Sequence, residues 1–166
     1  MTTVDVRDLL NRPGSSRELH VSPVLEDLGT ELAAVPAETP VRVTGLLESV
    51  VEGILVSGAV SGPVAFRCAR CLTEFTRDVR VDVAELFGLD VEDPAEDTGY
   101  IVRDGELDLE PLIRDSLVLA LPFSPLCRPD CLGLCERCGG NRNLGECSCE
   151  PEVDERWSAL ADLDLD

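Results

Sequence analysis

Hydrophobic and polar residues alternate through the middle of the chain in a pattern that is typical of β-strands. Residues 41–62 are rich in β-branched side chains with recurring glycines, which predicts two antiparallel strands that turn near Glu52 and Gly53. A further strand over 64–68 leads into the first pair of cysteines. The middle of the chain therefore predicts an antiparallel sheet.

The segment after this cysteine pair continues the same alternation. Residues 77–87 place Val79, Val81 and Val83 on one face at every second position. The strands before and after Cys68 and Cys71 then form a hairpin. We expect this cysteine pair to lie at its tip.

One helix is predicted to follow the sheet. Residues 88–100 contain five acidic residues, a proline and two glycines, which predicts a loop. Asp108 is a suitable N-cap, Pro111 is tolerated in a first helical turn, and Pro122 ends the segment. Apolar residues fall at helical spacing at Leu109, Leu112, Ile113, Leu117 and Ala120. We expect this face to pack across the sheet, which gives an α+β fold.

These patterns divide the chain into segments. Residues 1–40 are weakly patterned and are expected to wrap the core or to add an edge strand. The other predicted segments are a core of sheet and helix over 41–126, a cysteine-rich zinc-binding segment over 127–150, and an acidic C-terminal helix or tail over 151–166. The tail is expected to dock through Trp157 and Leu160.

Eight cysteines make metal binding the first chemistry to consider. The N-terminus has neither the basic start nor the apolar run of a secretory signal, so we expect a cytoplasmic location. Thiols are kept reduced in that compartment, which favours metal ligation over disulfides. Because all candidate ligands are thiolates, zinc is the expected ion.

The spacing of the cysteines predicts two sites of four ligands. One site would contain Cys135, Cys138, Cys147 and Cys149, with Gly139 and Gly140 allowing the tight turn behind the first pair. Cys127 and Cys131 would then complete the other site with Cys68 and Cys71. We call the site that contains Cys68 site one and the site that contains Cys135 site two. A competing grouping joins Cys131, Cys135 and Cys138 with either Cys147 or Cys149. A site closed by four cysteines has no open position for substrate, so it would fold the chain without catalysing a reaction.

The net charge of −19 argues against non-specific binding to nucleic acid, which depends on Lys and Arg. The charge is unevenly distributed, however, because residues 64–80 contain four arginines and two acids. These arginines, on the predicted hairpin loop, are candidate RNA contacts: Arg67, Arg70, Arg77 and Arg80.

The order of the motifs resembles the YceD family of bacterial and plastid proteins, named for accumulation of large-subunit ribosomal RNA. The resemblance starts near Val41 and rests on CARCLTEF, DGELDLEPLIRDSLVLALPFSPLC, DCLGLCERCGGNRNLGECSC and DERWSAL. Arg142 and Ser124 depart from the family pattern, and neither is a candidate ligand. The resemblance implies a link to normal levels of 23S rRNA, with precursor 23S rRNA or a basic large-subunit ribosomal protein as the partner.

Two other functional classes compete with an assembly factor. A thiol-based redox protein or a zinc-dependent regulatory protein would use CARC as an exchanging dithiol, but such a cysteine usually lies at a helix N-terminus. A hydrolase or nuclease has one histidine to use, His20, in the weakly patterned N-terminal part. The resemblance offers no catalytic residues either. We therefore expect a protein that is not an enzyme.

Overall fold

A computed structural model gives the structure of the chain and describes residues 2–89, 99–149 and 156. Eight strands are present in the described residues: β1 Thr3–Asp5, β2 Ser16–Val21, β3 Ala33–Ala34, β4 Arg42–Ser49, β5 Gly53–Arg67, β6 Glu74–Leu89, β7 Tyr100–Val102 and β8 Glu106–Asp108. The same residues contain the helix α1 Glu110–Ala120 and a 3-10 turn, Arg142–Leu144. The predicted α+β fold, with an antiparallel sheet packed against one helix, is confirmed.

The main sheet has the strand order β2-β4-β5-β6-β7, and β3 pairs with the far part of β5. Its pairings are antiparallel except for the short parallel contact between β6 and β7. The predicted turn between the first two strands lies between Ser49 and Gly53, as expected. A two-stranded sheet of β1 and β8 is also present.

The strand β5 is longer than predicted, because two segments that were predicted as separate strands form one. Pro63 lies between these two segments. On one side of β5, pairing with β4 ends at Ser61 and pairing with β3 begins at Ala65. Pro63 thus lies where the ladder on that side is already interrupted, a position at which a proline costs little.

The helix α1 covers one face of the sheet. Its residues Leu112, Ile113 and Leu117 are buried in a cluster that also contains Leu47 and Phe87. The predicted face is correct except at Ala120, which is exposed, while Leu121 just beyond it is buried. Because the helix ends at this residue, the chain turns and brings the next side chain inward.

The start of the helix differs from the prediction by one residue. Leu109 is the N-cap, rather than Asp108. The Asp108 side chain still acts on the first turn, because its Oδ1 accepts a hydrogen bond of 3.0 Å from the Glu110 N–H. The carboxylate therefore satisfies one of the free N–H groups of the helix start, as a capping residue does.

The N-terminal part contributes to both the sheet and the core. β2 is an edge strand of the main sheet, and Val6, Leu9, Leu25 and Leu28 are buried in the main cluster. The segment boundaries after residues 40, 126 and 150 stay predictions. The predicted C-terminal helix, with Trp157 and Leu160, lies outside the described residues. In the part of the chain that is described, no helix is long and apolar enough to cross a membrane.

Candidate metal centres

Site one is built on the turn between β5 and β6. The Cys68 N–H donates to the carbonyl of Thr73 over 3.0 Å, and the Leu72 N–H donates to the carbonyl of Cys68 over 2.9 Å. Leu72 adopts a left-handed conformation with φ 59°. This tight turn directs the Cys68 and Cys71 sulfurs to the same side, so the cysteine pair lies at the hairpin tip.

The segment after the helix brings the other two thiols of site one to this tip. The Ala69 N–H donates to the carbonyl of Pro125 over 2.8 Å, which holds the two segments together. The Sγ atoms of Cys68 and Cys131 are 3.7 Å apart, and those of Cys71 and Cys127 are 3.6 Å apart. A tetrahedral zinc ion with Zn–S bonds of about 2.3 Å separates its sulfurs by about 3.8 Å. The four thiols therefore have the spacing of a metal site.

Site two lies in the loop that follows. The Cys135 N–H donates to the carbonyl of Gly140 over 2.8 Å, and the Gly139 N–H donates back to the carbonyl of Cys135 over 2.8 Å. Gly139 has φ 72°, a conformation that glycine adopts without strain. Cys147 and Cys149 return to this turn, and the four ligand atoms lie within 4.8 Å of one another.

The structure groups the eight thiols as the two-site pairing requires. Cys131 lies with Cys68, Cys71 and Cys127, so the competing grouping of Cys131 with the later cysteines is not the observed one. The two sites differ in exposure. Three thiols of site one are buried, whereas Cys138 and Cys149 of site two are exposed.

Neighbouring thiols shift one another's pKa values in both sites. In site one, burial raises the pKa of Cys68, but backbone hydrogen bonds, the largest from Cys127, outweigh it and lower the pKa to about 6. Burial raises the pKa of Cys127 to about 12, with hydrogen bonds to the other sulfurs adding to it. Cys68 thus loses its proton readily, whereas Cys127 keeps its proton. A divalent cation would let all four thiols bind as thiolates, since its charge offsets their mutual repulsion.

Site two shows the same division. Backbone hydrogen bonds, the largest from Cys138, lower the pKa of Cys135 to about 6. Hydrogen bonds to Cys138 and Cys147 raise the pKa of Cys149 to about 12. Interaction with the Cys135 sulfur raises the pKa of Arg142. The arginine that departs from the family pattern therefore places a positive charge beside a candidate ligand.

Two of the four candidate RNA-binding arginines hold site one together. Arg70 Nη1 donates to the carbonyl of Cys131 over 2.9 Å. Arg77 Nη2 donates to the carbonyl of Cys127 over 3.0 Å, and its guanidinium lies 4.8 Å from the centre of the Phe75 ring. Both side chains tie the hairpin to the segment that carries the second pair of ligands.

The other two arginines lie on the exposed surface. Arg67 is paired with Glu74 at 3.4 Å, and Arg80 is paired with Asp82 at 3.4 Å. The Arg67 and Arg80 side chains are 52% and 65% exposed, so these ion pairs contribute little to stability and do not occupy the arginines fully. Arg70 and Arg77 thus lie against site one, whereas Arg67 and Arg80 lie on the exposed surface.

Asn143 connects the two sites, a role that no feature of the sequence indicates. It follows Cys138 in the loop of site two, yet its Nδ2 donates to the Cys131 sulfur of site one over 3.4 Å. Its Oδ1 accepts from the Leu132 N–H over 2.9 Å and from Arg128 over 2.6 Å. Asparagine is common in turns, so the residue type alone does not mark a position next to a ligand.

Replacing Asn143 by aspartate should weaken metal binding at site one by about tenfold, the lower end of effects at residues that support metal ligands. Aspartate keeps the shape and the acceptor oxygen, but it loses the N–H donor and adds a negative charge beside the thiolate. Competition with a chromophoric chelator measures the affinity. Asn11→Asp, the same change in an exposed turn, is the matched control. Equal affinities in the two variants would contradict the role assigned to Asn143.

The fold and the two sites define a class of protein: an α+β chain that carries two four-cysteine clusters whose geometry fits a metal ion. A family model described as "Large ribosomal RNA subunit accumulation protein YceD" matches residues 56–164. The chain belongs to the YceD family, as its ordered motifs indicated.

Three relatives are similar to the chain, and one of them bears the family name. An uncharacterized protein of Mycobacterium tuberculosis (strain H37Rv) is 38% identical over 169 residues, which cover 97% of this chain and 80% of the relative. The uncharacterized protein YlbN of Bacillus subtilis is 24% identical over a match that covers 75% of this chain and 73% of the relative. A Zea mays protein named "Large ribosomal RNA subunit accumulation protein YCED homolog 1, chloroplastic" is 41% identical over 62 residues, 37% of this chain and 21% of the relative. No solved structure matches the chain.

Proposed function

We propose that this protein is a non-catalytic factor for biogenesis of the large ribosomal subunit. It supports accumulation of 23S rRNA in the cytoplasm and acts by binding rather than by catalysis. The observation that carries the proposal is membership of a family named for large-subunit rRNA accumulation. A plant relative bears the same name over the part of the chain that it matches.

Zinc is the proposed ion at both sites. The donor set is entirely thiolate, which suits zinc better than harder cations. Four ligands complete a tetrahedral coordination sphere, so an ion held in this way has no open position for water or substrate. The ions would therefore shape the hairpin tip and the C-terminal loop, and they would contribute to binding through the surface that these segments present.

The partner is either precursor 23S rRNA or a basic ribosomal protein. Substitution of the four candidate arginines can distinguish these two partners. Arg70 and Arg77 hold site one, so changing them would confound loss of RNA contact with loss of structure. Arg67 and Arg80 do not have this complication, because their side chains lie on the surface. They are the arginines through which an RNA contact is best tested.

Deletion of the gene should lower 23S rRNA relative to 16S rRNA, and the intact chain should restore the ratio.

Crosslinked affinity purification with and without ribonuclease then shows whether RNA or protein is the direct partner. If RNA is the direct partner, partners are lost with ribonuclease, and R67E/R80E crosslinks less rRNA than R12E/R103E, which makes the same charge change at other exposed arginines. If a protein is the direct partner, a basic protein survives ribonuclease and both variants behave as the wild type. An unchanged 23S level after deletion would contradict the proposed function.

A further inference from the structure

One edge of the main sheet is open along most of β6. On one side, β6 pairs with β5 over nearly its whole length, from Glu74 to Gly88. On the other side, β7 pairs with β6 from Phe87 to Leu89. Among the residues that the structure describes, no strand pairs with this second side between Glu74 and Leu86. The open edge offers a row of backbone N–H and C=O groups of the kind that accepts an added strand.

A groove runs beside this edge, between β6 and α1. It has a volume of about 400 Å³. Val81, Val83 and Leu112 provide apolar lining, and Leu119 of the helix contributes a side chain that is 85% exposed. A strand added to β6 would therefore find a partly apolar wall for the side chains that it turns toward the helix.

The groove is acidic. Its lining includes Glu85 and Asp115, and no basic residue lines it within 2–89 and 99–149. Asp82 also borders the groove, but its carboxylate is paired with Arg80 at 3.4 Å, so the charge of Asp82 is offset. Tyr100 lies beside these acids, and its hydroxyl donates to Asp115 Oδ2 over 2.9 Å. Burial raises the pKa of Tyr100 to about 12, and the charges of Asp115 and Glu85 contribute to that rise.

The charge at the edge discriminates between possible occupants. A second copy of the chain would bring the same acids against themselves, which opposes edge-to-edge pairing. The phosphates of RNA would face the acidic residues Glu85 and Asp115 on a chain whose net charge is −19. A basic peptide meets complementary charge instead, and complementary charge favours both encounter and register.

We propose that the open edge of β6, over residues 78–85, is the docking site for an extended basic segment of a protein partner, which adds to the sheet as a further strand. The inference rests on the proposed function and deepens it, because it selects the protein partner and locates the contact. Backbone hydrogen bonds to β6 would supply binding that depends little on sequence. Glu85 and Asp115 would supply the preference for lysine and arginine.

The first test uses a peptide of about nine residues, the length of a long natural strand, that alternates lysine and valine. Fluorescence anisotropy measures its binding to the full, zinc-loaded chain. We expect binding that weakens as salt increases, and amide hydrogen exchange should slow in β6 over residues 78–85. A peptide of the same composition with N-methyl groups at alternate residues cannot complete the ladder and should bind at least tenfold more weakly. Equal binding of the methylated peptide would overturn strand addition.

A second test examines the charge. E85Q/D115N keeps the shapes of the side chains, and the amide oxygen introduced at position 115 would still accept the Tyr100 hydrogen bond. E18Q/E31Q removes two negative charges from exposed glutamates elsewhere and is the matched control. The first variant should lose about tenfold in peptide affinity, whereas the control should stay within about twofold of the wild type. Equal losses in both variants would show that net charge alone attracts the peptide, and would overturn the site.

Other occupants give different results, each of which overturns the proposal. An RNA oligonucleotide that displaces the peptide and binds more tightly would identify RNA as the ligand of this surface. Dimerisation of the free chain that the peptide reverses would identify a second copy. Peptide binding that appears only after removal of residues 151–166 would identify the tail. If the peptide fails to bind but deletion still lowers 23S rRNA, this inference fails and the proposed function stands.

Discussion

Replacing Cys131 by serine should destabilise the protein far more than replacing Cys149 by serine. Cys131 is 2% exposed, and its sulfur lies 3.7 Å from that of Cys68, which is 63 residues earlier in the chain. A zinc ion held there would close a long loop and stabilise the folded state directly. Structural zinc binds with an apparent free energy of about 10–16 kcal/mol, so loss of even part of it is large beside the roughly 5–15 kcal/mol that stabilises a typical domain.

Thermal unfolding followed by circular dichroism, together with zinc content, measures this difference. Cys149 is exposed and belongs to the site farther along the chain, so Cys149→Ser should lose one zinc ion with a small fall in Tm. Cys131→Ser should lose the site-one ion with a large fall in Tm, and strong chelation of the wild type should lower Tm at least as far. Equal falls in the two variants, or two zinc ions retained by Cys131→Ser, would contradict the structural role of site one.

The grouping of the eight thiols could be predicted because each half-site is local. Short spacings between cysteines allow one turn to aim both sulfurs, and the glycines after Cys138 mark such a turn in the sequence. Once four thiols are assigned to site two, Cys127 and Cys131 remain for the hairpin pair. The long-range contact between Cys68 and Cys131 thus followed from counting ligands, with no long-range pattern needed.

The hydrogen bonds around the sites could not be predicted in this way. Arg70 and Arg77 are predicted to face a partner, but their guanidinium groups donate to carbonyls 61 and 50 residues away. Such contacts depend on where two distant segments meet, and they leave no periodicity in the sequence. The contact of Asn143 could not be predicted for the same reason. An asparagine in a turn has the same sequence signature whether or not it supports a metal ligand, and only the fold brings the Cys131 sulfur beside it.

The open edge of β6 was also beyond sequence reasoning. Alternating valines predict a strand at residues 77–87, but the pattern of one strand does not show how many neighbours it has. β7 contributes three residues and pairs in parallel with the far end of β6. The charges that line the groove come from β6 and from α1 together, so their convergence is a property of the packing.

Replacing Leu117 by alanine should cost about 2–5 kcal/mol of the free energy of unfolding, the range for buried leucines. The Leu117 side chain is 1% exposed and packs into the cluster between α1 and the sheet. Loss of its methyl groups leaves a cavity that the surrounding strands close only in part, because their backbones are held by the pairing within the sheet. Urea unfolding of the zinc-loaded chain measures the change.

Leu119→Ala is the matched control, because it makes the same chemical change in the same helix at a side chain that is 85% exposed. Alanine is the better helix former, so this variant should stay within about 0.5 kcal/mol of the wild type. Equal costs at the two positions would mean that α1 is not packed as described. Unchanged m-values would confirm that both variants still unfold from the same compact state.

Leu119 also lines the groove beside β6, so Leu119→Ala should bind the lysine–valine peptide more weakly than the wild type. Leu117→Ala, if folded, should bind the peptide as the wild type does.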